Sequence, residues 1–247
     1  MLISHELSFS FPGRVILDRV SFELQHGRIT CLLGGNGSGK TTLLNLIGGF
    51  VRPDSGSIRL GKIELTNLPP YQISRSGIGR TFQDLRIIGK LSVRANILLA
   101  LPQHPGELLQ YALLPPGFHR DRVRDDHRTS DTLLADFFLA DVADNLASEV
   151  SYGQQKLLTL ACCVANGGDL LLLDEPVAGI SPEYRERIAE RLASLRAAGK
   201  TILLIEHQPD FLERVGERFL FLEAGRLHHF DTLAALNAAP VAHAALN

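Results

Sequence analysis

The segment Gly34-Gly35-Asn36-Gly37-Ser38-Gly39-Lys40-Thr41-Thr42 has the residue types and spacing that hold a nucleoside triphosphate. It fits the phosphate-loop pattern G-x-x-x-x-G-K-[ST] without a mismatch. Its glycines let backbone N–H groups approach phosphates, and a helix starting at the loop adds the positive end of its dipole. Lys40 is expected to reach the β- and γ-phosphates, and the Thr41 hydroxyl to bind Mg²⁺. Far along the chain, Asp169-Leu170-Leu171-Leu172-Leu173-Asp174-Glu175 runs four leucines into two carboxylates. Beside a phosphate loop, Asp174 suits Mg²⁺ binding and Glu175 suits activation of a water. Ser151-Tyr152-Gly153-Gln154-Gln155 brings a hydroxyl, a glycine N–H and a helix start to one point, which makes an anion site. His207 follows another apolar run and is expected to contact the γ-phosphate. Phe11, just before the turn Pro12-Gly13, suits stacking on a nucleotide base, although an aromatic in a strand is also ordinary core.

These residues need elements to hold them. Ile29 to Leu33 reads as a buried strand ahead of the loop, and Thr42 to Ile47 as an apolar-faced helix after it, the context the motif requires. Leu2 to Phe11 and Val20 to Leu24 read as strands, and Arg52 to Gly56 as a turn into a short strand Ser57 to Leu60. Together these suggest an antiparallel flap. Gly77-Ile78-Gly79-Arg80-Thr81-Phe82-Gln83 reads as a strand ending in Gln83, after which Ser92 caps a helix Val93 to Leu99. Pro102 to Pro116 reads as an irregular connection and Asp121 to Leu139 as helical. A helix Lys156 to Ala165 follows the Ser151 segment, Ser181-Pro182 opens a helix that runs until Ala198-Gly199-Lys200, and Thr201 to Ile205 is a second buried strand. Strand, helix, strand implies a parallel sheet, with Gln83, Asp174, Glu175 and His207 at the carboxyl ends where ligands gather. His228 and His229 point to opposite faces of a late strand and cannot share a metal. His104, His119 and His127 have no identifiable partners, and the Ala-rich tail from Thr232 to Asn247 reads as a small helix or a frayed end.

The 247 residues, 45% hydrophobic and 21% charged with a formal net charge of −2, describe an ordinary globular chain. Near-neutral charge argues against a nucleic-acid protein built on a broad basic surface, and the mixed run Arg120-Asp121-Arg122-Val123-Arg124 reads as a solvated helix face. The start has no basic region followed by an apolar core, and no run approaches the roughly eighteen apolar residues of a membrane helix. The reading is a cytosolic chain unless a partner holds it to a membrane. Cys31, Cys162 and Cys163 lie in apolar segments without metal-ligand or disulfide spacing and read as reduced core residues.

Taken together, these motifs resemble those of the ATP-binding cassette subunits of membrane transporters, over essentially the whole length. Gly34 to Thr41 resembles the Walker A loop, Gln83 the Q-loop, Ser151 to Gln155 the signature and Leu170 to Asp174 the Walker B strand. Glu175 resembles the catalytic carboxylate, His207 the switch histidine, and Phe11 the aromatic that stacks on adenine. The resemblance implies an α/β fold, with a phosphate-loop ATPase core on a parallel sheet, an antiparallel β flap and a helical subdomain. Residues 1–83 and 151–247 would form the core and flap, and 84–150 the helical subdomain. It also implies an ATPase using ATP and Mg²⁺, with Gln83 beside Thr41 and Asp174 at the metal. Lys40, Gln83, Glu175 and His207 would be the catalytic set, and Ser151, Gly153 and Gln154 would cover ATP bound to a second cassette. The implied partners are that second subunit, identical or different, integral membrane permeases and, indirectly, a substrate-binding protein. The implied location is the cytoplasmic face of the cell membrane. Gly77 to Gln83 together with Ser151 to Gln155 looks most like the ATP-binding subunits of branched-chain amino-acid and urea importers.

Three departures from the family pattern stand out: Gly35 for the common Pro, Tyr152 for the usual signature Gly, and Ser181 for an Asp common after Walker B. The last puts communication between the two sites of a dimer in doubt. A different class of reading is an ATP-gated soluble switch or scaffold without a membrane partner. Against it, the chain lacks a second cassette and a long heptad run.

Overall fold

The computed structural model describes residues 1–102 and 120–241. Strand β1 (Leu2–Phe11) turns at Pro12-Gly13 into β2 (Arg14–Leu24), and β3 (Ile29–Leu33) then leads through the glycine loop into α1 (Lys40–Ile47). Strands β4 (Ser55–Leu60) and β5 (Ile63–Glu64) follow, then α2 (Pro70–Arg75) and β6 (Ile78–Arg80). The next described elements are the helices α3 (Val93–Ala100), α4 (Arg120–Asp136) and α5 (Tyr152–Ala165). The chain then alternates β7 (Leu170–Asp174), α6 (Pro182–Ala197), β8 (Thr201–Ile205) and α7 (Pro209–Val215). It closes with the hairpin β9 (Arg218–Glu223) and β10 (Arg226–Phe230) and the short helix α8 (Leu233–Asn237).

Two sheets result. One has six strands in the order β10-β9-β3-β8-β7-β6, all parallel except β10. The other is antiparallel, in the order β2-β1-β4-β5. The six-stranded sheet is covered on both faces, which is why its inner strands β9, β3, β8 and β7 are short, largely apolar runs. Cys31, Leu171, Leu173, Ile202, Leu204, Phe219 and Phe221 pack on one face against helical residues such as Ile97, Leu134, Leu157 and Leu192. Their strand neighbours Leu32, Leu170, Leu172, Leu203, Ile205, Leu220 and Leu222 face the other way, onto Leu43, Leu44 and Ile47 of α1 and the inner face of the antiparallel sheet. Alternate residues on a strand point to opposite faces, so each run feeds two cores at once. Among the described residues between 84 and 150, Val93, Leu133, Phe137 and Val150 belong to the same cluster as the sheet's first face. Among the described residues, no helix is long and apolar enough to cross a membrane.

Several boundaries differ from the sequence reading. Strand β2 begins at Arg14 and not at Val20, because register shifts in its pairing with β1 interrupt the alternation of Val15, Ile16 and Leu17. Strand β6 stops at Arg80, where it pairs with Leu172, so Gln83 lies in a bend beyond the strand and not at its end. Helix α5 begins at Tyr152 and not at Lys156, because a reciprocal capping box starts it: Gln154 N–H donates to Ser151 Oγ and Ser151 N–H donates to Gln154 Oε1. Ser181 sits at the start of α6 without a side-chain capping bond. The cysteines are free, Cys31 and Cys163 fully inside, and burial pushes their thiols up to about 12. The connection read over Pro102 to Pro116, with His104 and His119, lies outside the described residues except for Pro102, as does the tail beyond 241.

Candidate functional site

The parallel strands end on one edge, and the site is built there from the loop upward. Gly37 and Gly39 adopt φ of 73° and 109°, the left-handed region that favours glycine. A Cβ on Gly39 would also meet Ile16 Cγ2 at 2.7 Å, and one on Gly34 would meet the Leu222 carbonyl oxygen at 2.3 Å. The loop is therefore packed down onto β2 and β9. Helix α1 starts directly at Lys40, with no acidic residue in its first turn to compete for an incoming anion. Lys40 is 8% exposed, and its ammonium donates to the carbonyls of Gly34 at 2.8 Å and Gly35 at 2.9 Å. Burial lowers its pKa, while Glu175 and Asp174 pull it back up. Ser38 Oγ is buried in this loop with no hydrogen-bond partner, an orphaned polar atom that a phosphate oxygen would satisfy. Asn36 is exposed at the loop tip and Thr42 half-buried in the first turn of α1.

Asp174 ends β7 at 3% exposure. Its carboxylate pKa is raised by burial, against the attraction of Arg80 and Lys40 and a hydrogen bond from the Thr41 side chain. Thr41 and Asp174 thus meet, and a hydroxyl beside a carboxylate is an oxygen donor pair that suits Mg²⁺, whose other positions are commonly filled by phosphate and water. Glu175 is next, in the left-handed region at φ 48°, a backbone strain of about 1–3 kcal/mol for a residue with a Cβ. Its N–H donates to Ile205 O at 3.0 Å and its C=O accepts from buried Lys156 Nζ at 3.2 Å, bonds that hold the strained residue. Its carboxylate Oε1 lies 3.3 Å from His207 Nε2. The geometry therefore joins Lys40, Thr41, Asp174, Glu175 and His207 in one constellation.

It does not join every expected residue. Gln83 is exposed, and no hydrogen bond ties it to Thr41 or Asp174. Ser151 and Gln154 are occupied in their capping box, and no hydrogen bond links them or Gly153 to Lys40, Thr41 or Asp174. Phe11 is 51% exposed at the tip of the β1–β2 hairpin, with its ring edge against Phe9. Arg14, its pairing partner, donates to the Gly37 carbonyl at 3.2 Å and fixes that tip on the loop.

Four further residues shape the site without having been singled out from the sequence. Thr81 Oγ1 accepts the Asp174 N–H at 3.1 Å. Arg80 donates to Leu44 O at 3.0 Å and Asn45 Oδ1 at 2.7 Å, and its guanidinium lies against the paired rings of Phe50 and Phe82. Burial lowers its guanidinium pKa to about 10 against the field of Asp174. Lys156 holds Glu175, as described above. Glu206 is 2% exposed; its Oε2 accepts the His207 N–H at 2.9 Å and its Oε1 has no partner. A carboxylate closing the apolar run Thr201 to Ile205 was the available signal for Glu206.

The family profile described as ABC transporter matches residues 17–178. The high-affinity branched-chain amino acid transport ATP-binding protein LivG of Salmonella typhimurium is 36% identical over 227 residues, 91% of this chain and 89% of that protein. The BraF protein of Pseudomonas aeruginosa, described in the same words, is 31% identical over 221 residues, 89% of this chain and 86% of its own. A crystal structure of the ADP conformation of an ATP-binding cassette superposes with a TM-score of 0.85 at 26% identity, covering 100% of this chain and 98% of that one.

Proposed function

Because the chain belongs to the ABC transporter family as an ATP-binding subunit, we propose that it is the ATP-hydrolysing motor of a membrane importer. Its proposed cargo class is branched-chain amino acids, related amides or urea. The observation that carries the reading is the meeting of Lys40, Thr41, Asp174, Glu175 and His207 beside the phosphate loop. Relatives described as branched-chain amino acid transport ATP-binding proteins favour it over a soluble ATP-gated switch and support the cargo class.

In this reading residues 34–42 cradle the triphosphate through loop N–H groups and the start of α1, and Lys40 turns from the loop carbonyls to the β- and γ-phosphates. Phe11 stacks on the base. Thr41 and Asp174, with Gln83 swung in, hold Mg²⁺, which when bound neutralises phosphate charge. Glu175 accepts the proton of the attacking water, and His207, whose Nε2 lies 3.3 Å from Glu175 Oε1, turns to donate to the γ-phosphate. Ser151, Gly153 and Gln154 stand apart from this constellation in one chain, which supports their covering the nucleotide of a second cassette, identical or different. ATP would close such a dimer and hydrolysis release it. The segment 84–150 would act as a helical subdomain that passes the movement to integral permease subunits at the cytoplasmic face of the membrane, fed by a substrate-binding protein.

Glu175→Gln tests this. It keeps size and hydrogen bonding but cannot accept a proton, so turnover should fall by about 10²–10⁴ while ATP stays bound. In Mg²⁺ and ATP the variant should run as a dimer in size-exclusion chromatography, with itself or with a sister chain. Adding Ser151→Glu should abolish that dimer, because a negative side chain would face the γ-phosphate. Wild-type hydrolysis by the Gln variant, or a dimer indifferent to the Ser151 change, overturns the mechanism.

A further inference from the structure

Helix α6, which follows the loop after Glu175, bears a tyrosine that touches both defining residues of the Ser151 turn. Tyr184 Oη lies 3.2 Å from Ser151 Oγ. Its ring also lies against Gly153: a Cβ there would fall 2.4 Å from ring atom Cδ2, so only glycine fits beneath it. Arg187, one turn on, sits over the same ring with its guanidinium carbon 5.3 Å from the centroid and is itself paired with Glu183. Tyr152 adds a neighbouring contact, since a Cβ on Gly179 would come within 3.4 Å of its ring. The start of α5 is therefore stitched to the loop after the carboxylates by tyrosines, in a chain where that loop carries Ser181.

We propose that Tyr184 is a positioning residue of the composite site: its hydroxyl donates to Ser151 Oγ and leaves the Ser151 proton free for a phosphate oxygen of the nucleotide held by a second cassette. A serine hydroxyl has one hydrogen to give and two lone pairs to receive. One lone pair takes the Gln154 N–H. If Ser151 gave its hydrogen to Tyr184, nothing would remain for an anion. With Tyr184 as donor, the second lone pair is filled and the hydrogen points outward. The bonds then run in one direction, Tyr184 O–H to Ser151 O–H to phosphate, and each polarises the next. The packing of the ring on Gly153 holds the phenol in place, and Gly153 keeps its backbone N–H in the first turn of α5, where helix amides lack intrahelical partners. The inference rests on the reading that Ser151 faces a partner's nucleotide.

Tyr184→Phe keeps the ring and removes only the hydroxyl, so the chain should melt as the parent does and bind a fluorescent ATP analogue as a monomer with unchanged affinity. In the Glu175→Gln background with Mg²⁺ and ATP, it should raise the ATP concentration for half-maximal dimer by about fivefold, as light scattering would read. In Glu175→Gln with Ser151→Ala, the same Tyr184→Phe change should add nothing, because the hydroxyl it orients is gone. That non-additivity is what a merely structural tyrosine would not give. A dimer insensitive to Tyr184→Phe, or an equal loss with and without the Ser151 hydroxyl, overturns the role of Tyr184 alone. No ATP-dependent dimer of the Glu175→Gln parent, with itself or with a sister chain, overturns the composite-site reading and this inference with it.

Discussion

Glu206 stands immediately before His207, and its carboxyl group is caught between two demands. Burial raises its pKa, and nearby Glu175 pushes the same way, against hydrogen bonds from the His207 and Val177 backbones. The folded chain therefore holds this proton at pH values where the unfolded chain has released it. Stability contributed by the protonated form is present below the ordinary carboxylate value and is lost as pH rises through the folded one. Gln has the shape of the protonated acid and does not titrate. Glu206→Gln should match the parent below about pH 4 and melt roughly 3 °C higher at pH 8. A difference in melting temperature that stays constant from pH 4 to pH 8 would rule out a raised carboxyl at this position. At the same scale the phosphate loop was legible because its nine residues are contiguous and fit one fixed spacing. The supporting residues Thr81, Arg80 and Lys156 were not, since a single Thr, Arg or Lys acquires its task from a partner that sequence proximity does not reveal.

Among the elements, β6 is the one whose position matters most relative to its length. It brings Arg80 to the carboxyl half of α1 and leads into Phe82 and Gln83. It achieves this by lying against α5 with no space between: a Cβ on Gly79 would meet Cys163 O at 2.7 Å and Cys163 Sγ at 3.0 Å. A backbone carbonyl inside a helix cannot swing aside as a flexible side chain would. Gly79→Ala should therefore cost about 1–3 kcal/mol in a urea melt and reduce ATPase activity in the fraction that folds. Wild-type stability would mean that β6 and α5 separate easily. The apolar five-residue strands β3, β7 and β8 and the helix α6 were readable in advance, because burial on both faces or on one helical stripe imposes its own period. Strand β6 was read too long and α5 too short. Three residues of pairing are decided by where β7 lies, and a capping box starts a helix before its apolar run begins.

At the scale of the whole molecule, the site lies on the carboxyl edge of the parallel sheet, while the helices packed on the sheet's first face share one core with it. Packed side chains therefore join those helices to the sheet that carries the site. Within a complete transporter, ATP turnover should rise several-fold when the binding protein is loaded with an aliphatic amino acid, an amide or urea. Stimulation only by a sugar, a metal ion or a lipid would overturn the cargo class and leave the motor assignment standing.

Read alone, the sequence determined the phosphate loop, the carboxylate pair at Asp174 and Glu175, the alternation of strand and helix and the cassette family, because each is written in contiguous residues or in a period of burial. Tertiary structure decided which of those residues meet. Thr41 against Asp174, Glu175 against His207, Arg80 against α1 and Tyr184 against Ser151 are pairings across separate elements. Strand order and the seating of helices on a sheet bring such pairs together, and both depend on the packing of every apolar side chain at once, which no local pattern encodes.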